Sequence, residues 1–319
     1  MEVVQMIEVL KTNTVTGKLE NVSSITKGVW INIVDPSSDE IQSIAHKLNL
    51  AENLLRYPLD IAEKAHIDTD EENVLIAIDV PITEYKGTKK VYSTIPLGMI
   101  LVRDDYFVTI SQSRIDVINE VLTSVKMFDI YTDKKSRLVF QILYKVASDY
   151  IRYIGYISKD IDSFEKSMHK AMKNDELLSL LDFEKTMIYF NASIKANQTV
   201  LQKINRGKYI KLYEEDEDIL DDTIIENTQA MEMVQTYSEI LNGIIDIFGT
   251  IVSNNLNTVM KFLTSITIII AIPTMISSFI GMNVEFPFNT TTIGFYTVMG
   301  IAILSTIIAT LWFKKKDML

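Results

Sequence analysis

Residues 262–283 read FLTSITIIIAIPTMISSFIGMN and residues 286–313 read FPFNTTTIGFYTVMGIAILSTIIATLWF, two stretches without Asp, Glu, Lys, Arg or His. Each exceeds the roughly 20 residues that a helix needs to cross about 30 Å of hydrocarbon. So little chain separates them that they must form a hairpin across a bilayer, with Gly281-Met282-Asn283 at its turn. That arrangement points to transport. Lys261 precedes the first stretch and Lys314, Lys315 and Lys316 follow the second, whereas the loop at 284–292 has Glu285 and no base. The excess of basic residues places both termini in the cytoplasm and the loop outside a plasma or inner membrane. Read instead as a phospholipid anchor, the three lysines give the same topology.

About 260 residues precede the first span and carry nearly all the charge of a 319-residue chain with net charge −11 and 47% hydrophobic residues. A sizeable core outside the membrane is therefore expected. The N-terminus lacks the basic and long apolar regions of a signal peptide, so this domain is expected to stay in the cytoplasm. There is no cysteine, and only His46, His66 and His169 could supply imidazole. This composition argues against a zinc enzyme or a thiol nucleophile. No glycine-rich phosphate loop, serine-centred triad or paired-carboxylate constellation stands out, so the reading is not an enzyme and has no organic cofactor.

The first third, residues 1–130, alternates β-branched runs with helical spacing and reads as an α/β domain. Val29 to Val34 suggests a strand. Asp35 to Glu40 then supplies N-cap candidates, and Ile41, Ile44, Ala45 and Leu48 recur at helical spacing. Strands are expected at 74–80, 95–102 and 106–111, with a turn at Tyr85-Lys86-Gly87-Thr88. Between Pro96 and Pro273 there is no proline, which favours long helices. Tyr150, Ile154, Ile157, Ile161, Phe164 and Met168 form the seam of an antiparallel helical hairpin over 131–213, broken at Asn174-Asp175 and ended by Asn205-Arg206-Gly207. A stalk helix over 214–261 then runs into the first span, 262–283, so that one helix extends from near Ile219 to near Asn283, on the order of 95 Å. Such a rod calls for flanking helices and symmetry mates, hence a homo-oligomer. The second span covers 293–313 and a basic tail 314–319.

Along this helix Asn257, Met260, Thr264, Thr267, Ala271, Thr274 and Ser278 follow at steps of three and four, one face at a 3.5-residue period. Small and hydroxylated side chains of this kind let helices approach closely or line a watery path, and the residues alone leave both readings open. Two spans make too little wall for a pore, so the second reading needs several copies about a shared axis. The stripe has no carboxylate, which suits a cation that keeps its waters, as Mg²⁺ does. Asn283 would add one amide oxygen per subunit at the outer mouth.

In these residues the chain resembles the CorA-type magnesium transporters. Gly281-Met282-Asn283 matches that family's signature at the outer end of the first of two C-terminal spans. The short acidic loop, the lysine-rich end, residues 257–264 entering the membrane and 30–36 near the start add to it. The resemblance implies a funnel-shaped homopentamer, an α+β membrane protein whose cytosolic α/β domain leads into a stalk helix and the pore-lining span. It implies outer ion binding at Asn283, and pore-lining positions at Asn257, Met260, Leu263, Ala271, Thr274 and Ser278. It departs from the family pattern at Ile280, where a tyrosine often stands, at Ala271, where a constricting methionine stands, and at Pro273, one residue later than usual.

Glu214, Glu215, Asp216, Glu217, Asp218, Asp221 and Asp222 crowd the stalk's start. One reading is a solvated helix N-terminus, where acids are favourable. The other is a divalent-ion site between subunits, and the resemblance implies the second, with Asp222 as a regulatory ligand and Asp79 and Glu84 as candidate partners. The expected function is potential-driven entry of hydrated Mg²⁺, and of Co²⁺ or Ni²⁺, gated by cytosolic Mg²⁺, so that Mg²⁺ is both substrate and regulator. Expected partners are further copies of the chain, divalent metal ions and the lipid bilayer, with no nucleic acid. Two rivals stand beside it: the same fold moving zinc or exporting divalent metal, and a membrane-anchored sensor or scaffold without flux.

Overall fold

The computed structural model describes residues 7–13, 16–70, 72–87, 89–103, 105–123, 130–167, 174–282 and 292–319. Among the described residues seven strands form one sheet in the order β2-β1-β3-β7-β6-β5-β4. They are β1 (Ile7–Thr12), β2 (Leu19–Asn21), β3 (Val29–Val34), β4 (His66–Asp70), β5 (Asn73–Lys86), β6 (Lys89–Val102) and β7 (Tyr106–Ser111). Only β3 and β7 pair in parallel, with Ile31 opposite Val108; the other neighbours are antiparallel. The expected strand at Val29 is present and runs into helix α1 (Ser38–Leu48). Ser37 caps that helix: its hydroxyl accepts from the Glu40 amide, and Glu40 in turn accepts from the Ser37 amide at 2.8 Å.

The apolar face of α1 (Ile41, Ile44, Ala45, Leu48) joins Leu54 and Leu55 of α2 (Glu52–Arg56) over Val29, Ile31, Ile33, Val108 and Ile110, which form the buried core. Gly98 is the point of closest approach. A Cβ there would run into Pro58 and lie 2.9 Å from the Ile110 Cγ2, so the residue is small for want of room.

The strand expected at 74–80 continues through Pro81 to Lys86, and β6 begins six residues before the expected Ile95. Both prolines sit beyond the end of a neighbour. Strand β4 pairs β5 only over Asn73–Ala77, and β7 pairs β6 only from Leu97, so neither Pro81 nor Pro96 interrupts a three-strand ladder. Gly87 turns the hairpin with φ +67°.

Helices α4 (Lys135–Ser167) and α5 (Asn174–Asn205) pack on β5 and β6, and α3 (Asp116–Thr123) packs on α4. Tyr150, Ile154, Ile157 and Ile161 are all fully buried, and Tyr150 meets Phe190 edge-to-face at 5.1 Å. Asn174-Asp175 opens α5 instead of breaking the preceding helix, as befits residues favoured at N-termini; the connection, with Met168 and His169, lies outside the described residues. At the other end Gly207 (φ +70°) donates to the Ile204 carbonyl at 2.8 Å and stops α5 where the sequence suggests.

Helix α6 (Glu214–Ile280) is a single element of 67 residues, and α7 (Thr292–Lys315) follows it. The chain divides into two compact units, Met1–Asn242 and Gly243–Leu319. The sheet and the α4–α5 hairpin share the first unit, because the hairpin buries its seam on β5 and β6. The α6 interior carries Gly243 and Gly249, with open space around both.

Candidate functional site

Both α6 and α7 contain windows long and apolar enough to cross a membrane. The faces of α6 differ. Asn257, Met260, Leu263, Thr264, Thr267, Ala271, Thr274 and Ser278 are all exposed. Ser265 is fully buried, and Ile266, Ile269, Ile272, Pro273, Ile276 and Ile280 are partly buried, at helical spacing on the opposite side. On α7 the covered positions are Gly294, Val298, Ala302, Ser305, Thr306, Ala309, Thr310 and Phe313, which share one side of the helix. Small residues on that side permit close approach, and the Ser265 hydroxyl donates to the Met318 carbonyl at 3.0 Å. The second apolar helix therefore covers the side of α6 away from the stripe.

Among the described residues nothing packs on the stripe itself. Its upper half, Thr267, Ala271, Thr274 and Ser278, forms the floor of a shallow open groove flanked by Ile270, Met275 and Phe279. Thr267 donates its hydroxyl proton to the Leu263 carbonyl at 2.8 Å, and Thr274 to the Ile270 carbonyl at 2.9 Å. A hydroxyl has one proton and two lone pairs, so both present acceptor oxygen outward. A row of neutral acceptors suits donors such as the waters around a cation.

At the C-terminal end of α6, the Gly281 amide still donates to the Ser277 carbonyl at 3.0 Å, and Met282 is exposed. Asn283, Glu285 and loop residues 284–291 lie outside the described residues. At the opposite end of the two apolar helices, Lys314 and Lys315 close α7 and all three tail lysines are exposed, as is Lys261.

The acidic run is only partly solvated. Glu215 pairs with Lys134 (3.1 Å) and Arg137 (3.7 Å), and Asp216, 4% exposed, lies 3.8 Å from Arg137. Burial pushes the Asp216 carboxyl above its usual range. The first turn of α6 is thus pinned to the start of α4. Asp222 is exposed near Tyr144, whose phenol is pushed up by burial first and then by the charges of Glu226 and Asp222. Asp79 turns toward its own α5: its amide donates to the Asn197 side-chain oxygen at 2.9 Å, its carbonyl accepts from Asn197 and Tyr150, and burial raises the pKa of its carboxyl against a hydrogen bond from Ser193. Glu84 is exposed on β5. Among the described residues no three His, Asp or Glu converge as a metal-holding cluster.

Sequence reading missed one charged constellation, on α3 and α4. Lys145, nearly buried, holds Glu120 at 2.5 Å and Asp149 at 2.7 Å, while Arg152 pairs with Asp149 at 2.9 Å and Glu120 at 3.2 Å. The signal available was the (i, i+4) spacing of Lys145 and Asp149; Glu120 comes from another helix.

An α/β domain leading through one long helix into two apolar helices, with a polar face left open on the first, defines a two-span membrane transport protein. The chain belongs to the family of CorA-like Mg²⁺ transporter proteins, whose family model matches residues 26–315. It is 26% identical over 298 residues to the cobalt/magnesium transport protein CorA of Methanocaldococcus jannaschii, covering 90% of each chain. It is 23% identical over 295 residues to the CorA of Thermotoga maritima, covering 91% of this chain and 83% of that one. The fold is that of the complete CorA magnesium transporter structure from M. jannaschii, with a TM-score of 0.84 at 23% identity over 98% of both chains. Membership places the chain among divalent-cation transporters rather than enzymes.

Proposed function

We propose that this protein carries hydrated Mg²⁺, and also Co²⁺ or Ni²⁺, passively across the cell membrane as a funnel-shaped homopentamer, with both termini in the cytoplasm. The division of labour is a cytosolic α/β domain with its helical hairpin, a stalk over 214–261, a pore-lining span over 262–283, an outer loop over 284–292, a second span over 293–313 and a basic tail. The observation that carries this reading is the open stripe of α6. It is polar, free of carboxylates and uncovered, while α7 takes the opposite side. A stripe serving only to pair the two spans of one chain would be the covered face.

A divalent ion moving down 100 mV gains roughly 4.6 kcal/mol, twice the 2.3 per elementary charge, which is a sufficient driving force. Asn283 supplies a ring of amide oxygens at the mouth, and Glu285 raises the local cation concentration there. Cytosolic Mg²⁺ held between subunits by Asp222 favours a closed state. Exposure favours Glu84 over the inward-turned Asp79 as its partner.

The test is flux of Mg²⁺, Co²⁺, Ni²⁺ and Zn²⁺ into proteoliposomes under a defined potential, for the wild type and Asn283→Ala. Mg²⁺ uptake abolished by that substitution is the expected result. Zinc flux in place of magnesium selects the rival substrate, absence of any flux selects the scaffold, and full uptake by the variant removes the role of Asn283.

A further inference from the structure

Ser265 differs from every other residue between 251 and 282. It alone there is fully buried, and it stands off the stripe, one residue from Thr264 and two from Leu263. Its hydroxyl lies 2.8 Å from the Lys261 carbonyl of its own helix and 3.0 Å from the Met318 carbonyl. With one proton to give, the hydroxyl is shared between them. The first contact is the ordinary back-bond of a serine in an apolar helix. The second is not local: the two residues are 53 positions apart.

The geometry that delivers Met318 is specific. After α7 the chain turns at Asp317, whose φ of +52° lies in the left-handed region that non-glycine residues seldom occupy. The Asp317 amide donates to the Lys314 carbonyl at 3.3 Å and the Met318 amide to the Phe313 carbonyl at 3.2 Å, a six-to-one closure of the helix end. This turn folds the Met318 carbonyl onto Ser265. A backbone carbonyl at the edge of the hydrocarbon needs a donor, and the buried hydroxyl provides it.

We propose that Ser265 and the turn at 316–318 form a latch that sets the second apolar helix against the inner end of the first, making Ser265 a positioning residue for the inner end of the ion path at Met260, Leu263 and Thr264. It holds no ion. Any state in which the inner ends of the two helices part must break it, so it biases the equilibrium on which closure by inner Mg²⁺ depends. This last consequence rests on the gated transport proposed above; the latch itself does not.

The test uses full-length protein in proteoliposomes with two readouts. Hydrogen exchange at the Asp317 and Met318 amides should quicken about fivefold in Ser265→Ala, the equivalent of one hydrogen bond, and return to the wild-type rate in Ser265→Thr, which restores the donor. The inner Mg²⁺ concentration that halves influx should shift by a similar factor in Ser265→Ala and in a chain ending at Lys316, without adding in the combined variant, while half-saturation by outer Mg²⁺ stays unchanged. Unchanged exchange in Ser265→Ala overturns the latch. Faster exchange with an unmoved inner midpoint, additive shifts, or no rescue by threonine overturns the positioning role. If the wild type carries no ion, the transport reading fails, and the exchange measurement still decides the latch.

Discussion

Replacing Lys145 by methionine should destabilise the first unit more than any loss of a surface ion pair. Lys145 is 7% exposed and Asp149 1%, and the ammonium reaches carboxylates on two helices, at 2.5 Å to Glu120 and 2.7 Å to Asp149. Burial opposes the Lys145 charge, but its hydrogen bonds to Asp149 and Glu120 outweigh that and hold its pKa above the usual lysine range. Without the ammonium, one guanidinium, Arg152, faces two carboxylates, one of them buried. Breaking a buried pair from one side costs about 3–5 kcal/mol. At roughly 2–4 °C per kcal/mol for a unit of this size, the midpoint should fall on the order of 10 °C. Thermal unfolding in detergent reports it through the fluorescence of Trp30, fully buried in the same unit, in a Trp312→Phe background. The double variant Lys145→Met with Asp149→Leu removes the orphaned charge and leaves Glu120 with Arg152, so it should regain most of the loss. A fall of under about 2 °C in the single variant, or a double variant no better than the single, would refute the reasoning.

Gly98→Ala forces a methyl into Pro58 and Ile110 and should cost roughly 1–3 kcal/mol in the same unfolding assay, whereas Gly17→Ala, with open space around it but φ +66°, tests strain without a clash. Thr274→Val keeps the shape and removes the outward oxygen; Mg²⁺ influx should drop about fivefold if the stripe meets the ion's waters, and stay unchanged if it only packs helices. Asp222→Asn should weaken the protection that Mg²⁺ gives the Met1–Asn242 unit against proteolysis, and undiminished protection would take Asp222 out of regulation.

Much of the architecture could be read from residue order because the strongest signals were long and periodic. The 3.5-residue seam of Tyr150 to Ile161 and the polar stripe of α6 both repeat over several turns. Short, polar or interrupted elements could not be read that way. Strand β4, His-Ile-Asp-Thr-Asp, has almost no apolar alternation, and it is held by pairing with β5 and by contact with α5, neither of which residue order shows. Strand β1 mixes Glu8 and Lys11 into an apolar run, and the Asn32 side chain donates to Glu8 at 3.1 Å, a partner no spacing rule supplies. Prolines 81 and 96 concealed half the length of the β5–β6 hairpin, since their harmlessness depends on where other strands stop. At the site, which residues share a face of α6 was legible, whereas which face stays open depends on where α7 lies. The inward turn of Asp79 and the pinning of Asp216 to α4 likewise come from packing between distant segments.

The two glycines inside α6 have a mechanical consequence. Gly243 and Gly249 are the only residues of that helix without a side chain, and the boundary between the two compact units falls at the first of them. Each costs about 1 kcal/mol of helix stability relative to alanine, and neither has a neighbour whose packing would offset it. A rod bends at its softest turn. A torque applied at the acidic end of α6 will therefore be taken up first within residues 243–249, so the stiffness of those two turns sets how much of it arrives at Asn257 and beyond.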